Sequence, residues 1–175
     1  MTLATDLLKQ AQHLSTLEPK HPKQASLRRS VSAAYYSLFH LLIASGSQVI
    51  TQKVALRPHV ARTYQHGDLK KAANSILLIQ VAYQSGRQPS QQLQWLGQFL
   101  RLPIEPELSF VCQTFIDLQE LRHQADYDLS QSFSRLQAAT AVSQARAAHV
   151  SWKAIRHSHN AEIFLLAAAK VLVSR

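Results

Sequence analysis

The stretch 106-PELSFVCQTFIDLQELRHQADY-127 decides the fold of this chain. Val111, Phe115, Leu118, Arg122 and Ala125 recur at spacings of four, three, four and three. That is the inward stripe of an amphipathic helix. Pro106 suits the first helical turn, where its missing N–H is not needed, and Glu107 favours the positive end. The helix is predicted to run to about Tyr127. Its stripe places an arginine where an apolar residue is expected. Asp126 lies four residues on and can pair with Arg122 along the helix. A buried arginine strongly prefers such a partner, because an unpaired buried charge is costly. On spacing alone the pair reads as a satisfied ion pair that holds helix packing; a functional role requires Arg122 to face an open cleft.

Working outward, the same helical signal covers most of the chain. Leu3, Leu7, Ala11, Leu14 and Leu17 form a stripe over residues 3–17, which Pro19 and Pro22 break. A long helix is predicted from about Gln24 to Ala44, with Leu27, Val31, Ala34, Tyr35, Leu38, Leu41 and Leu42 inward and the Gly46 region as its stop. Pro58 is expected to start a short helix containing His59, Arg62 and His66. Asp68 reads as the N-cap of the next helix, DLKKAANSILLIQ. Residues 84–106 hold three prolines and two glycines and read as an irregular excursion with a short helical piece. A further helix over Phe133 to Ile155 carries Leu136, Thr140, Gln144, Ala148, Trp152 and Ile155 on one face. The segment 156-RHSHN-160 turns the chain into an apolar last helix, 161-AEIFLLAAAKVLVSR-175.

The composition agrees. Of 175 residues, 46% are hydrophobic and 17% charged, with only four glycines and six prolines, so the chain can bury a core and leans towards helix. The expectation is an all-α, up-and-down bundle of about five main helices forming a single domain over 1–175, interrupted at 84–106. Cys112 is the only cysteine, which excludes an internal disulfide and a cysteine zinc cluster and fits a reducing cytoplasm. The N-terminal stretch lacks the apolar run of a secretory signal, and the last apolar run is too short to span a bilayer. A cytoplasmic protein with no membrane association is expected.

The net charge of +9 is uneven. Residues 1–87 carry eleven Lys/Arg against three acidic residues, whereas 88–175 carry eight against seven. A basic front half points to a polyanionic partner, nucleic acid first, although a solvated basic surface gives the same count. Nine histidines invite a metal reading, but none forms an HExxH pattern, and no metal or cofactor is expected. No glycine-rich phosphate loop and no nucleophile elbow occurs. The segment 28-RRSVSAAYYSLFH-40 instead puts Arg29, Ser32, Tyr36 and His40 on a shared flank, with Arg28, Tyr35 and Phe39 adjacent. Such a flank is either a tyrosine-rich core face or the wall of a polar groove that accepts phosphate or base.

Taken together, RRSVSAAYYSLFH and LRHQADYD resemble the two motif helices of the HEPN family of small helical nucleotide-binding domains. Residues 57-RPHVARTYQHGDLKKA-72 are similar to the histidine-bearing stretch that some members carry between them. The resemblance covers roughly residues 1–157. It implies a helical bundle that dimerises, and RNA or nucleotide as ligand. Many members carry an Arg-polar-x-x-x-His motif that forms a metal-independent RNase site of toxin type. Carried onto this chain, Arg122 matches the arginine and His123 the polar position, while Tyr127 stands where the final histidine is found. The expected catalytic set is Arg122, His123, Tyr127 and Asp126; the expected phosphate-binding set is Arg29, Tyr36, His40, Arg62 and His66. Arginine suits a developing phosphorane charge. Tyrosine, with a reference pKa of about 10, is a poor base, and His123 projects about 100° around the helix from Arg122. Two alternatives stand beside this: the resemblance also implies a non-catalytic subunit partnering a small nucleotidyltransferase, and the ion-pair reading of Arg122 fits a purely structural helical dimerisation module.

Overall fold

The computed structural model describes residues 2–172. All regular structure among them is helical: α1 (Leu3–Thr16), α2 (Gln24–Ile50), a 3-10 turn (Val54–Leu56), α3 (Arg57–Ala61), α4 (His66–Gln84), α5 (Gln91–Gly97), α6 (Pro106–Tyr127), α7 (Arg135–Ile155) and α8 (His159–Ala168). The protein is all-α, as the periodicity predicts. The chain divides into two compact units, one of the residues up to Leu41 with Thr114–Val150, the other of Leu42–Gln113 with the residues from Ser151 on. Helices α2, α6 and α7 contribute to both.

In the first unit, α1 starts with a reciprocal cap between Thr2 and Thr5, which satisfies two of the N–H groups a helix start leaves open. Its stripe is rotated from the expected one. Ala4, Ala11 and Ser15 are buried, while Leu3 and Leu17 are exposed. The first half of α7 behaves likewise: Ala138, Ala141, Val142, Ala145 and Ala148 are buried, and Leu136 is 76% exposed. In both helices the seam is built on alanine. A methyl side chain lets backbones approach closely yet gives little hydropathy signal, so a stripe drawn through the largest apolar residues misses it. Ser30 Oγ donates to the Ala11 carbonyl at 2.8 Å and ties α1 to α2. The centre of the unit is Leu27, Val31, Tyr35, Leu38, Phe115 and Leu118, all essentially inaccessible. The Tyr35 and Phe115 rings lie 5.5 Å apart.

In the second unit, α2 does not stop at Gly46 but continues to Ile50. A Cβ on Gly46 would lie 2.0 Å from the Tyr64 hydroxyl. The glycine is there for close approach of a ring, not to end the helix. Tyr64 Oη in turn donates to the Leu165 carbonyl at 3.1 Å. The short helix ends at Ala61, so Arg62 follows it and His66 opens α4; the three expected residues do not share one helix. The N-cap of α4 is Gln65 rather than Asp68. Asp68 sits in the first turn, where its charge is still favourable, and its carboxylate meets Lys170 Nζ at 2.8 Å.

Helix α4 closes with Gly86 at φ 64°, the left-handed position that glycine takes without a steric penalty. There Arg87 N–H reaches back to the Ala82 carbonyl. Helix α4 packs on α8. Residues 84–106 are irregular apart from α5, as expected, and their far end is fastened by Asn160. Its side chain accepts from Arg101 N–H at 2.8 Å and donates to the Arg101 carbonyl at 2.7 Å. Helix α8 starts from the Ser158 cap and ends at Ala168, short of the predicted terminal run, whose residues 173–175 lie outside the described ones. Among the described residues no helix is long and apolar enough to cross a membrane.

Candidate functional site

The two sequence motifs meet inside the first unit. Arg122 Nη2 donates to Tyr36 Oη at 2.6 Å, and Arg122 Nε lies 2.7 Å from Asp126 Oδ2. The second contact is ionic and off-axis, since no acceptor stands in line with the Nε–H. Asp126 Oδ1 accepts from Ser32 Oγ at 2.6 Å. The four side chains therefore form one chain of charge and hydrogen bonds, Ser32–Asp126–Arg122–Tyr36, joining α2 to α6. The Arg122 guanidinium also sits over two rings, 5.3 Å from the centroid of Tyr36 and 5.3 Å from that of Tyr127. Burial pulls the Arg122 pKa down, but Tyr36 and Asp126 beside it outweigh burial and hold it above the ordinary guanidinium value. Its charge is permanent. Nε and Nη2 are engaged, whereas Nη1 has no hydrogen-bond or ionic partner among the described residues.

Sequence reasoning paired Arg122 with Asp126 but could not see that Ser32 and Tyr36, about ninety positions earlier, complete the network. It places Arg28 only on an adjacent flank, with no role. Its guanidinium donates to the carbonyls of Ala125 at 2.8 Å and Asp128 at 2.9 Å, and to that of Gln131. Ala125 lies in the last turn of α6, at the negative end of the helix, where a cation is favoured, and Asp128 and Gln131 follow just beyond it. Gln24 assists next door, exchanging two 2.8 Å hydrogen bonds with the Phe133 backbone. The neighbouring arginines 28 and 29 thus separate in role. Arg28 is spent on the backbone; Arg29 is exposed and has no hydrogen-bond or ionic partner among the described residues.

Two grooves flank the network. One, of about 680 Å³, runs between the start of α2 and the end of α6, with Arg28, Arg29, Asp126, Tyr127 and Leu129 in its walls. The other, of about 350 Å³, lies between α1 and α2 and is lined by Leu7, Leu14, Arg29, Ser32 and Tyr36. Arg29 lines both; Arg122 lines neither. The half-buried α1 leucines, which do not reach the core, form an apolar wall here.

The histidines stand to one side. His123 is exposed and its ring lies 5.1 Å from that of Tyr127. His40 follows Tyr36 by one turn, ring to ring 6.4 Å, and burial lowers its pKa. The Tyr35 hydroxyl is pushed well up by burial. Among the described residues the hydrogen-bond and ionic partners of Arg122 are Tyr36 and Asp126, not a histidine. Of the remaining expected site residues, Arg62 and His66 belong to the second unit, with Arg62 exposed and His66 half-buried. Among the described residues no three His, Cys, Asp or Glu side chains come together as metal ligands.

Chemically, the arrangement offers a fixed guanidinium held by a carboxylate, a second guanidinium open to solvent, and an exposed tyrosine ring that meets the first and lines the same groove as the second. That set suits a phosphate with a base beside it. No protein-family model, curated protein or solved structure matches the chain.

Proposed function

We propose that the chain is a HEPN-like helical bundle that binds RNA or nucleotide through the first unit. Arg29 takes a phosphate, the exposed Tyr127 ring stacks on a base, and the Ser32–Asp126–Arg122–Tyr36 network holds the two walls in place. The observation that carries this reading is Arg29: an exposed, unpartnered guanidinium lining both grooves beside the network. The two segments that carry the family resemblance touch one another, and that contact supports the reading. Exposed guanidinium and ring together are the elements of single-strand recognition, in which backbone charge and stacking supply affinity without a sequence code.

The test is fluorescence anisotropy with a labelled single-stranded RNA. Arg29→Gln is expected to weaken binding about tenfold and to flatten the dependence of log K on log salt by about 0.7. Binding by Arg29→Gln equal to that of wild type sinks the reading.

A second reading, metal-independent RNA cleavage, is favoured by one observation: Arg122, Tyr127 and His123 form a contiguous column, guanidinium on ring and ring beside imidazole. In it Arg122 faces the scissile phosphate and His123 moves the proton. Incubation with total RNA in a chelator tests it. Cleavage by wild type and not by Arg122→Ala or His123→Ala is the expected pattern; RNA left intact by wild type refutes it and leaves a binding protein. The homodimer and a nucleotidyltransferase partner belong to this family reading, and sedimentation of the purified chain and capture from the native host test each in turn.

A further inference from the structure

The positive charge is not concentrated around Arg122. Counted over the sequence, the residues of the first unit carry eight Lys/Arg against six Asp/Glu, and those of the second eleven against four. Within the second unit a groove of about 310 Å³ gathers part of this excess. Its walls are Gln48 from α2, Gln52 just beyond it, Arg57 at the start of α3, Arg156 and His157 from the turn between α7 and α8, and Glu162 from α8. Arg57 is half-buried and held in place by its Nε, which donates to the Thr51 carbonyl at 3.4 Å, a long bond that leaves both terminal nitrogens unused. Arg156 is exposed and makes no side-chain bond among the described residues.

Two guanidiniums that open into one groove repel each other unless something of opposite charge sits between them. Glu162 is the obvious candidate, yet it forms an ion pair with neither arginine. Its place in the first turn of α8 is accounted for by the helix dipole. The groove therefore holds two guanidiniums whose terminal nitrogens are uncommitted among the described residues, with amide side chains of Gln48 and Gln52 as further donors. Planar guanidiniums in this arrangement match the oxygens of a phosphate better than those of any neutral ligand.

We propose that this groove is a phosphate-binding site, with Arg57 and Arg156 as its cations, taking either the backbone of a nucleic-acid strand or the phosphates of a free nucleotide. The proposal does not rest on Arg29 or Arg122, and Arg29→Gln is expected to leave it intact. The experiment follows backbone amide resonances of the full chain on titration with sodium pyrophosphate and, separately, with a short oligouridylate. Amides of Gln48, Gln52, Arg57 and His157 are expected to shift. Shifts with the oligouridylate alone assign the site to a strand; shifts with pyrophosphate alone assign it to a free nucleotide or phosphate. Loss of two phosphate contacts in R57Q/R156Q is expected to weaken binding by at least about tenfold and, for the strand, to flatten the salt dependence by about 1.4. E162Q, which removes the one repulsive charge, is expected to tighten binding. If neither ligand shifts these amides, or if R57Q/R156Q weakens binding no more than the charge-matched K71Q/R87Q, the site does not exist.

Discussion

The Arg122–Asp126 pair lends itself to a thermodynamic cycle. The perturbation is R122M, which nearly keeps the volume of the side chain, D126L, which keeps the branched shape of the carboxylate without its charge, and the double variant. In D126L, Arg122 loses its counter-ion and the buried Ser32 hydroxyl loses a charged acceptor. A hydrogen bond to a charged group contributes about 1.5–3 kcal/mol, and removing one partner of a fully buried ion pair costs about 3–5 kcal/mol. The side chains of Arg122 and Asp126 are each 19% exposed, so water can partly replace the lost partner, and the lower end applies. A loss of about 3 kcal/mol is expected for D126L. R122M leaves Asp126 with Ser32 alone and gives up both ring contacts, for a loss of about 2–3 kcal/mol. Were the two independent, the double variant would lose about 5–6 kcal/mol. Removing both charges together leaves no stranded ion, so the double variant is expected to be no less stable than the worse single, a coupling of at least about 2–3 kcal/mol. For a chain of this size, each kcal/mol corresponds to about 2–4 °C in Tm. The assay is urea denaturation followed by circular dichroism, with tryptophan fluorescence beside it. Trp95 and Trp152 both belong to the second unit, so coincident midpoints establish the two-state transition that the cycle requires. Additivity of the singles within about 0.5 kcal/mol refutes the claim that the four side chains act as one network.

Gly46→Ala gains about 1 kcal/mol of helix propensity but drives a methyl into the Tyr64 ring, so a net loss of about 2 kcal/mol is expected, with partial recovery in G46A/Y64L; an unchanged denaturation midpoint for G46A contradicts the close approach. Arg28→Met removes the donor to three carbonyls at and just beyond the end of α6, and hydrogen exchange of the amides from Ala125 to Gln131 should quicken while that of α1 stays as it was; equal change in both rules out a local clamp. Burial lowers the pKa of both His40 and His149. Each therefore binds its proton more readily in the unfolded chain, whose imidazoles titrate near about 6.5. The stability linked to them is complete above that value and is lost as pH falls below it towards the lower folded-state values. Denaturation midpoints should drop between pH 7 and pH 5, and H40Q/H149Q should drop less; parallel slopes for the two proteins would show that other groups set the acid limb.

The helical character of the protein was legible in its sequence, because apolar spacing, two proline breaks and a shortage of glycine all report on local structure. The span of α6 and its Arg122–Asp126 pair could be read because a four-residue spacing is itself local geometry. Other features depend on what arrives from elsewhere in the chain. Gly46 reads as a helix stop until Tyr64 is seen to lie on it. The stripes of α1 and α7 mislead because alanine seams bury backbone approach rather than large side chains. Arg28 and Arg29 are the same residue type at adjacent positions, and nothing local distinguishes them. Which one is consumed by the carbonyls around the end of α6 and which is left facing solvent depends on the side of α2 that meets the end of α6. Periodicity can say that a helix has a polar flank; only the tertiary structure decides which charges on that flank are already answered.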